Sequence, residues 1–382
     1  MSLWLFLKLL NQQMLKIYLD NNATTEVDQR VTDAILLELK SGYGNPSSIH
    51  SFGQEVRNRV TKARRLIATH FGFKPTEVIF TSSATEAANI VVKGTKGDII
   101  TSASEHACVF ATAMEEKKRG RAVTFLEPGT HGAVTPEQIL EAITPATGLI
   151  VVMAANNETG VKTDIDGIAA IAQQYGIPFF VDAVAWVGKE AFVPPRGVTA
   201  FAISGHKFHA PKGIGALFIR SLCKPEPLLI GGAQEYNKRA GTENVIGIMA
   251  LAKAVDLLNS ELPQATERMR RLRDRFEAGV MGALSGVQLN GEGERIVNTS
   301  NLSFEGVEGE SILMNCDLAG LAVSHGSAGS SGSLEPSRIL MGMGLGKDRA
   351  RSSIRFSLSR MTTEEDIERA IEIIVKVVSD LR

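Results

Sequence analysis

Lys207 follows an apolar run directly, in "SGHKFHAPKGIGAL" (204–217), with Ser204 and His206 beside it. A lysine at the end of a buried strand is costly unless its amine is used. Desolvation lowers its pKa, and the neutral amine can then form a Schiff base with a carbonyl. Four more polar groups stand at the ends of apolar runs. "TSSATEAAN" (81–89) places Ala84 and Thr85 at a helix start, where backbone N–H groups either hold an anion or simply need a cap. "SEHAC" (104–108) offers His106, and Cys108 follows two residues later. "NNETG" (156–160) offers Asn157, a turn former or a ligand donor. "VDA" (181–183) leaves Asp182 at a strand end, where an unpaired carboxylate is costly. A Schiff-base lysine, a carboxylate for a pyridinium nitrogen, an imidazole able to stack and an anion hole are the parts of a pyridoxal phosphate site. His206 and His209 have a metal-like spacing, but no third ligand is evident nearby and no metal is assigned.

Parallel strands must bring these groups together. Strand patterns fall at 77–80, 98–102, 122–128, 148–155, 177–183, 200–204 and 215–219, with helical stretches between several of them. Uniformly apolar strands alternating with helices predict an α/β layer with a mostly parallel sheet. Ligands bind such sheets at the carboxyl ends of the strands. After residue 263 the texture changes. A long helix is expected to start near Pro263, short strands follow at 298–304 and 352–359, and a helix over 362–381 closes the chain. Thr362 and Glu365 are the expected capping box, with Ile367, Ile371, Ile374 and Val378 as the apolar stripe. The expected division is a large cofactor-binding domain over 27–263 and a small α+β domain from 14–26 and 264–382. Residues 1–13 read as an N-terminal extension.

The bulk numbers narrow the classes. The chain has 382 residues, a net charge of −1 and scattered basic residues, which gives no reason to expect nucleic acid or anionic membrane. The run "RMRRLRDR" (268–275) reads as a solvated helix face. The apolar stretch at 3–10 is too short to span a bilayer and lacks the features of a signal peptide. Three cysteines without a C-x-x-C pair fit a reducing cytoplasm.

With these blocks in view, the chain resembles the NifS-type cysteine desulfurases, fold-type I pyridoxal phosphate enzymes of the class V aminotransferase group. The likeness covers about residues 16–382. It is carried by "YLDNNATT" (18–25), "GNPSSIHSFG" (44–53), "TSSATEAAN", "EHACV", "NNETG", "VDA", "SGHKFHAPKGIGAL", "RAGTENV" (239–245), "GSLEPS" (332–337) and "SSIRFSL" (352–358). The resemblance implies that Lys207 binds pyridoxal 5'-phosphate covalently, His106 stacks on the ring and Asp182 pairs with its nitrogen. It places Ala84, Thr85, Ser204 and His206 at the cofactor, the last three on the phosphate. Thr242 reaches the phosphate of a neighbouring subunit, which implies a homodimer. Asn157 and Arg355 hold the carboxylate of L-cysteine or a related amino acid, and Asn157 also lies near the ring oxygen. A sulfur acceptor or iron–sulfur scaffold protein is the implied further partner.

Two positions depart from the family pattern. Ala185 stands where the family usually has a glutamine that bonds the ring oxygen. In "GSAGSSGS" (326–333), Gly329 stands where the family carries its nucleophilic cysteine. A cofactor half-site is therefore expected intact and sulfur abstraction impaired, with Cys108 and His325 as residues that could assist. Two alternatives stay open: a thiol-independent lyase for selenocysteine or cysteine sulfinate, and a non-catalytic cofactor-binding paralogue in a sulfur-transfer complex.

Overall fold

The computed structural model describes residues 16–41, 43–326 and 336–382. Gly329 and the N-terminal extension lie outside these. A seven-stranded sheet forms the centre. In chain order its strands are β2 (Val78–Thr81), β3 (Asp98–Ser102), β4 (Val123–Leu126), β5 (Thr147–Met153), β6 (Phe179–Asp182), β7 (Ala200–Ser204) and β8 (Gly215–Ile219). The spatial order is β2-β8-β7-β6-β5-β3-β4, and only the pairs made by β8 are antiparallel. From β3 the chain goes outward to β4 and then returns to the other side of β3. That reversal opens a crevice at the carboxyl ends of the strands.

Helices cover both faces of the sheet. On one side lie α1 (Gln29–Ser41), α2 (Ser51–His70), α6 (Ile165–Tyr175) and the first half of α7 (Val245–Ala283); on the other lie α3 (Ala84–Gly94) and α4 (Ala107–Lys118). The short α5 (Pro136–Ala142) packs near α6. Alternation along β5 shows how the strands serve both faces. Ile150 and Val152 enter one core, and Leu149 and Val151 enter the other. α6 ends where expected, at Gly176, whose φ of 64° is a left-handed cap that costs glycine little.

A third core joins β1 (Ile17–Tyr18) to the C-terminal segment. This segment contains β9 (Val287–Leu289), β10 (Thr299–Phe304), α8 (Gly309–Leu318), β11 (Leu321–Ala322), β12 (Ser353–Ser357) and α9 (Glu364–Leu381). β1 pairs with β11, and β12, β10 and β9 form an antiparallel sheet. Asp20 bridges to Ser357, which fixes the start of the described chain against the strand that carries Arg355.

Three local expectations are corrected. α7 starts at Val245, not near Pro263, and passes through that proline. Asn244 caps it by accepting the Gly247 N–H at 3.0 Å. Pro263 is exposed, so the hydrogen bond it cannot make is left to solvent, while Leu262 and Ala265 on either side are buried. The capping box of α9 is Thr363 and Asp366, one residue later than expected. The basic run is only partly solvated, because Arg273 is buried and donates to the Ile296 carbonyl at 2.8 Å.

Candidate active site

The strand ends converge on a cavity of about 270 Å³. Its wall includes Ala84 and Thr85 after β2, His106 after β3, Asn157 after β5, Asp182 at the end of β6, Ser204 at the end of β7, and His206 and Lys207 beyond it. Arg355 of β12 and Asn22 and Ala23 complete the wall. Residues more than 300 positions apart in sequence thus share one chamber.

Each group is held for a reason. Ser83 caps α3 by accepting the Glu86 N–H, and Ser83, Ala84 and Thr85 at this helix start line the cavity. His106 caps α4. Its Nδ1 accepts the Cys108 N–H at 3.2 Å, so the proton of the neutral ring sits on Nε2. Burial lowers the pKa of His106, against the pull of Asp182. Asp182 Oδ1 accepts the Val184 N–H at 3.0 Å, and burial raises its pKa. This is a carboxyl short of a cationic partner. Lys207 Nζ donates to the carbonyls of Asn22 and Ala23, the latter at 3.0 Å. Burial, and then Arg355, bring its pKa down to about 8. His206 faces Thr24 Oγ1 at 3.1 Å and is pushed to about 4 by burial and Lys207.

Arg355 is 1% exposed. It donates to the Asn157 carbonyl at 3.0 Å and to Asp20 at 2.7 Å. Its Nε and the side-chain oxygen of Asn157 are buried without partners. Such orphans are costly and mark where a polar ligand belongs.

The sequence reading missed Lys189. It is 2% exposed, lines the cavity and donates from Nζ to the main-chain carbonyl of Lys207. No carboxylate lies within 4 Å of it among the described residues. Burial, and then Lys207, lower it to about 7. Gly188 makes this approach possible. Its φ is 83°, and a Cβ there would lie 2.3 Å from Phe208 Cβ. "VGKE" reads as a surface turn, and no periodicity in it betrays a buried amine.

Other expectations fare differently. Ala185 lines the cavity. Thr242 does not. It is exposed and borders a separate depression with Ser82, Glu235 and Arg239. His325 bonds the Arg351 carbonyl at 2.9 Å and is absent from the cavity wall. His209 turns to the Glu26 carbonyl, 2.8 Å away. Cys108 does line the cavity, at its Asp182 end. Its Sγ is 3.1 Å from His106 Nδ1 and 4.0 Å from Asp182 Oδ2. Burial and the carboxyls of Asp182 and Glu105 hold its pKa well above the ordinary thiol value. It is therefore a poor nucleophile. Two described residues outside the Gly/Ser-rich run have partners near the cavity. Ser324 pairs with Arg355, and Ser337 donates to Glu158.

The family model for class-V aminotransferases matches residues 17–370. The chain belongs to the class-V aminotransferase family. Within that family it is 42% identical over 374 residues to a cysteine desulfurase of Nostoc, an alignment spanning 96% of this chain and 94% of the relative. It is 44% identical over 376 residues to cysteine desulfurase IscS of Dictyoglomus turgidum, covering 96% and 95%. Among solved structures, a NifS-like protein superposes with a TM-score of 0.89 at 32% identity, covering 96% of this chain and all of the other. SspA in complex with cysteine gives 0.78 at 30% identity, covering 91% and 100%. This class-V aminotransferase is a pyridoxal phosphate enzyme of the cysteine desulfurase group, with the NifS-like α/β fold. Its own residues fit that cofactor: a desolvated amine, a carboxyl without a cation, helix-start N–H groups and orphaned polar atoms share one cavity.

Proposed function

We propose that this enzyme binds L-cysteine and breaks its C–S bond to yield alanine. The carrying observation is the pair of orphaned atoms, Arg355 Nε and Asn157 Oδ1, on the wall that also holds Lys207. A guanidinium with a free N–H suits an α-carboxylate. The structural relative solved with cysteine supports that class of substrate. The cofactor, when bound, supplies an electron sink for bonds broken next to the amino-bearing carbon. Lys207 would hold it, and the lowered pKa of that amine would suit it to move the α-proton of the substrate. Asp182 would hold the ring nitrogen, His106 would stack on the ring, and Ala84, Thr85, Ser204 and His206 would hold the phosphate.

In this reading Thr242 serves the cavity of a second copy, and the enzyme works as a homodimer in the cytoplasm. The two domains divide near residue 263. The sulfur goes to an acceptor or scaffold protein of iron–sulfur or thio-cofactor assembly. Gly329 favours a second reading, in which the enzyme cleaves selenocysteine or cysteine sulfinate, whose leaving groups need no thiol. The deciding experiment is incubation of the cofactor-loaded enzyme with each amino acid, measuring alanine and pyruvate. Borohydride fixation of the cofactor should label Lys207. Alanine from cysteine sulfinate with none from cysteine selects the second reading. Absence of label at Lys207 removes both.

A further inference from the structure

We infer that the thiol accepting the cysteine sulfur is supplied by a second molecule. This rests on the proposed cleavage of cysteine. Converting cysteine to alanine replaces C–S by C–H, a two-electron reduction at carbon. The electrons come from the sulfur, which leaves as sulfane sulfur and needs an acceptor. A thiolate attacks the substrate sulfur, an S–S bond forms, and the Cβ–S bond breaks. The electron pair passes to Cβ and is protonated there. The balance is cysteine plus RSH to alanine plus RSSH. With no acceptor, the other exit is elimination of hydrosulfide, which gives pyruvate and ammonia after hydrolysis.

The whole chain holds three cysteines, Cys108, Cys223 and Cys316. Cys223 is 1% exposed, packed under the sheet among the α3 and α4 contacts, and burial pushes it up to about 12. Cys316 is fully buried in the C-terminal core, also at about 12. Cys108 touches the cavity but is pinned between His106 and Asp182, with its thiol kept protonated by burial and two carboxyls. None presents a thiolate to a carboxylate-anchored substrate at Arg355. The attacking species is a thiolate. It must therefore arrive from outside, as a small thiol or as a cysteine of a partner protein. Lys189, Lys207 and Arg355 on the wall give an incoming anion a favourable field.

The test uses the cofactor-loaded full chain with dilute L-cysteine and increasing 2-mercaptoethanol, glutathione or a reduced single-cysteine protein. Alanine, pyruvate and cyanolysable sulfur are measured. The expected result is alanine formation rising about tenfold or more with added thiol, with persulfide in solution and no added sulfur in the intact mass of the chain. Cysteine acting as its own acceptor gives a baseline second order in cysteine. Stronger response to 2-mercaptoethanol indicates a small-thiol acceptor, and stronger response to the protein thiol indicates a partner cysteine. Alanine at an unchanged rate without thiol, persulfide on the chain, or pyruvate and sulfide whatever the thiol would overturn the inference. A visible-band change on adding cysteine alone reports substrate binding separately. If that change is absent, the proposed function falls, and the inference with it.

Discussion

Replacing Lys189 with methionine should stabilise the cofactor-free protein, and do so more at low pH. The interval between 10.5, its ordinary value, and about 7 in the folded chain is the source of the effect. At about 1.4 kcal/mol for each pH unit, the buried ammonium costs about 5 kcal/mol at pH 6 and about 2 kcal/mol at pH 9. The sign follows from proton binding. Between pH 7 and 10.5 the unfolded chain holds this proton and the folded chain does not, so the stability of the parent rises with pH. Methionine removes the penalty but strips the Lys207 carbonyl of its donor, a loss of about 2 kcal/mol. The net gain is about 3 kcal/mol at pH 6 and close to zero at pH 9, or roughly 5 °C in Tm at the lower pH. Thermal unfolding followed by tryptophan fluorescence at both pH values measures it. An equal change at the two pH values, or a fall at pH 6, would refute the reasoning. The same variant should lose cofactor faster on dialysis, because the turn that carries Lys207 has lost its tie.

Three further outcomes are expected. Arg355→Ala should raise the KM for cysteine about a hundredfold while leaving the visible cofactor band in place, since it removes the carboxylate donor and leaves Asp20 unpaired; an unchanged KM contradicts the assignment. Gly329→Cys should release a first equivalent of alanine per chain without added thiol and place persulfide on the chain, which intact mass detects, with later turnovers needing a thiol to take that sulfur away. Thr363→Ala should lower stability by about 1 kcal/mol, seen as a small fall in Tm, because the capping box of α9 is lost.

Much of this architecture is legible because strands buried on both faces are written as plain apolar runs. β3, β7 and β8 coincide with the sequence reading to the residue. The polar residues that break those runs are the ones that meet in the cavity. What stays hidden depends on tertiary context. Pro263 signals a helix start, yet the packing on both sides carries α7 through it. Thr362 and Thr363 offer the same cap chemistry, but Thr362 Oγ1 accepts the Ser359 N–H at 3.0 Å, which leaves Thr363 to accept the Asp366 N–H. Lys189 looks like a turn residue until the Gly188–Phe208 contact brings it under Lys207. Cys108 and His106 are two residues apart in either reading, but only the fold shows that burial, Asp182 and Glu105 keep the thiol protonated.

α7 runs for 39 residues, close to 60 Å of continuous rod at 1.5 Å per residue. Its first half is cemented into the core under the large sheet, and its second half into the C-terminal core. The two cores are therefore joined by one unbroken helix at the point where the texture of the sequence changes. A protease offered the folded protein should leave the middle of this rod intact. A gene cut near residue 263 would strand half a helix, with a raw apolar stripe, on each fragment. Any separation of the two cores would have to break or unwind this helix.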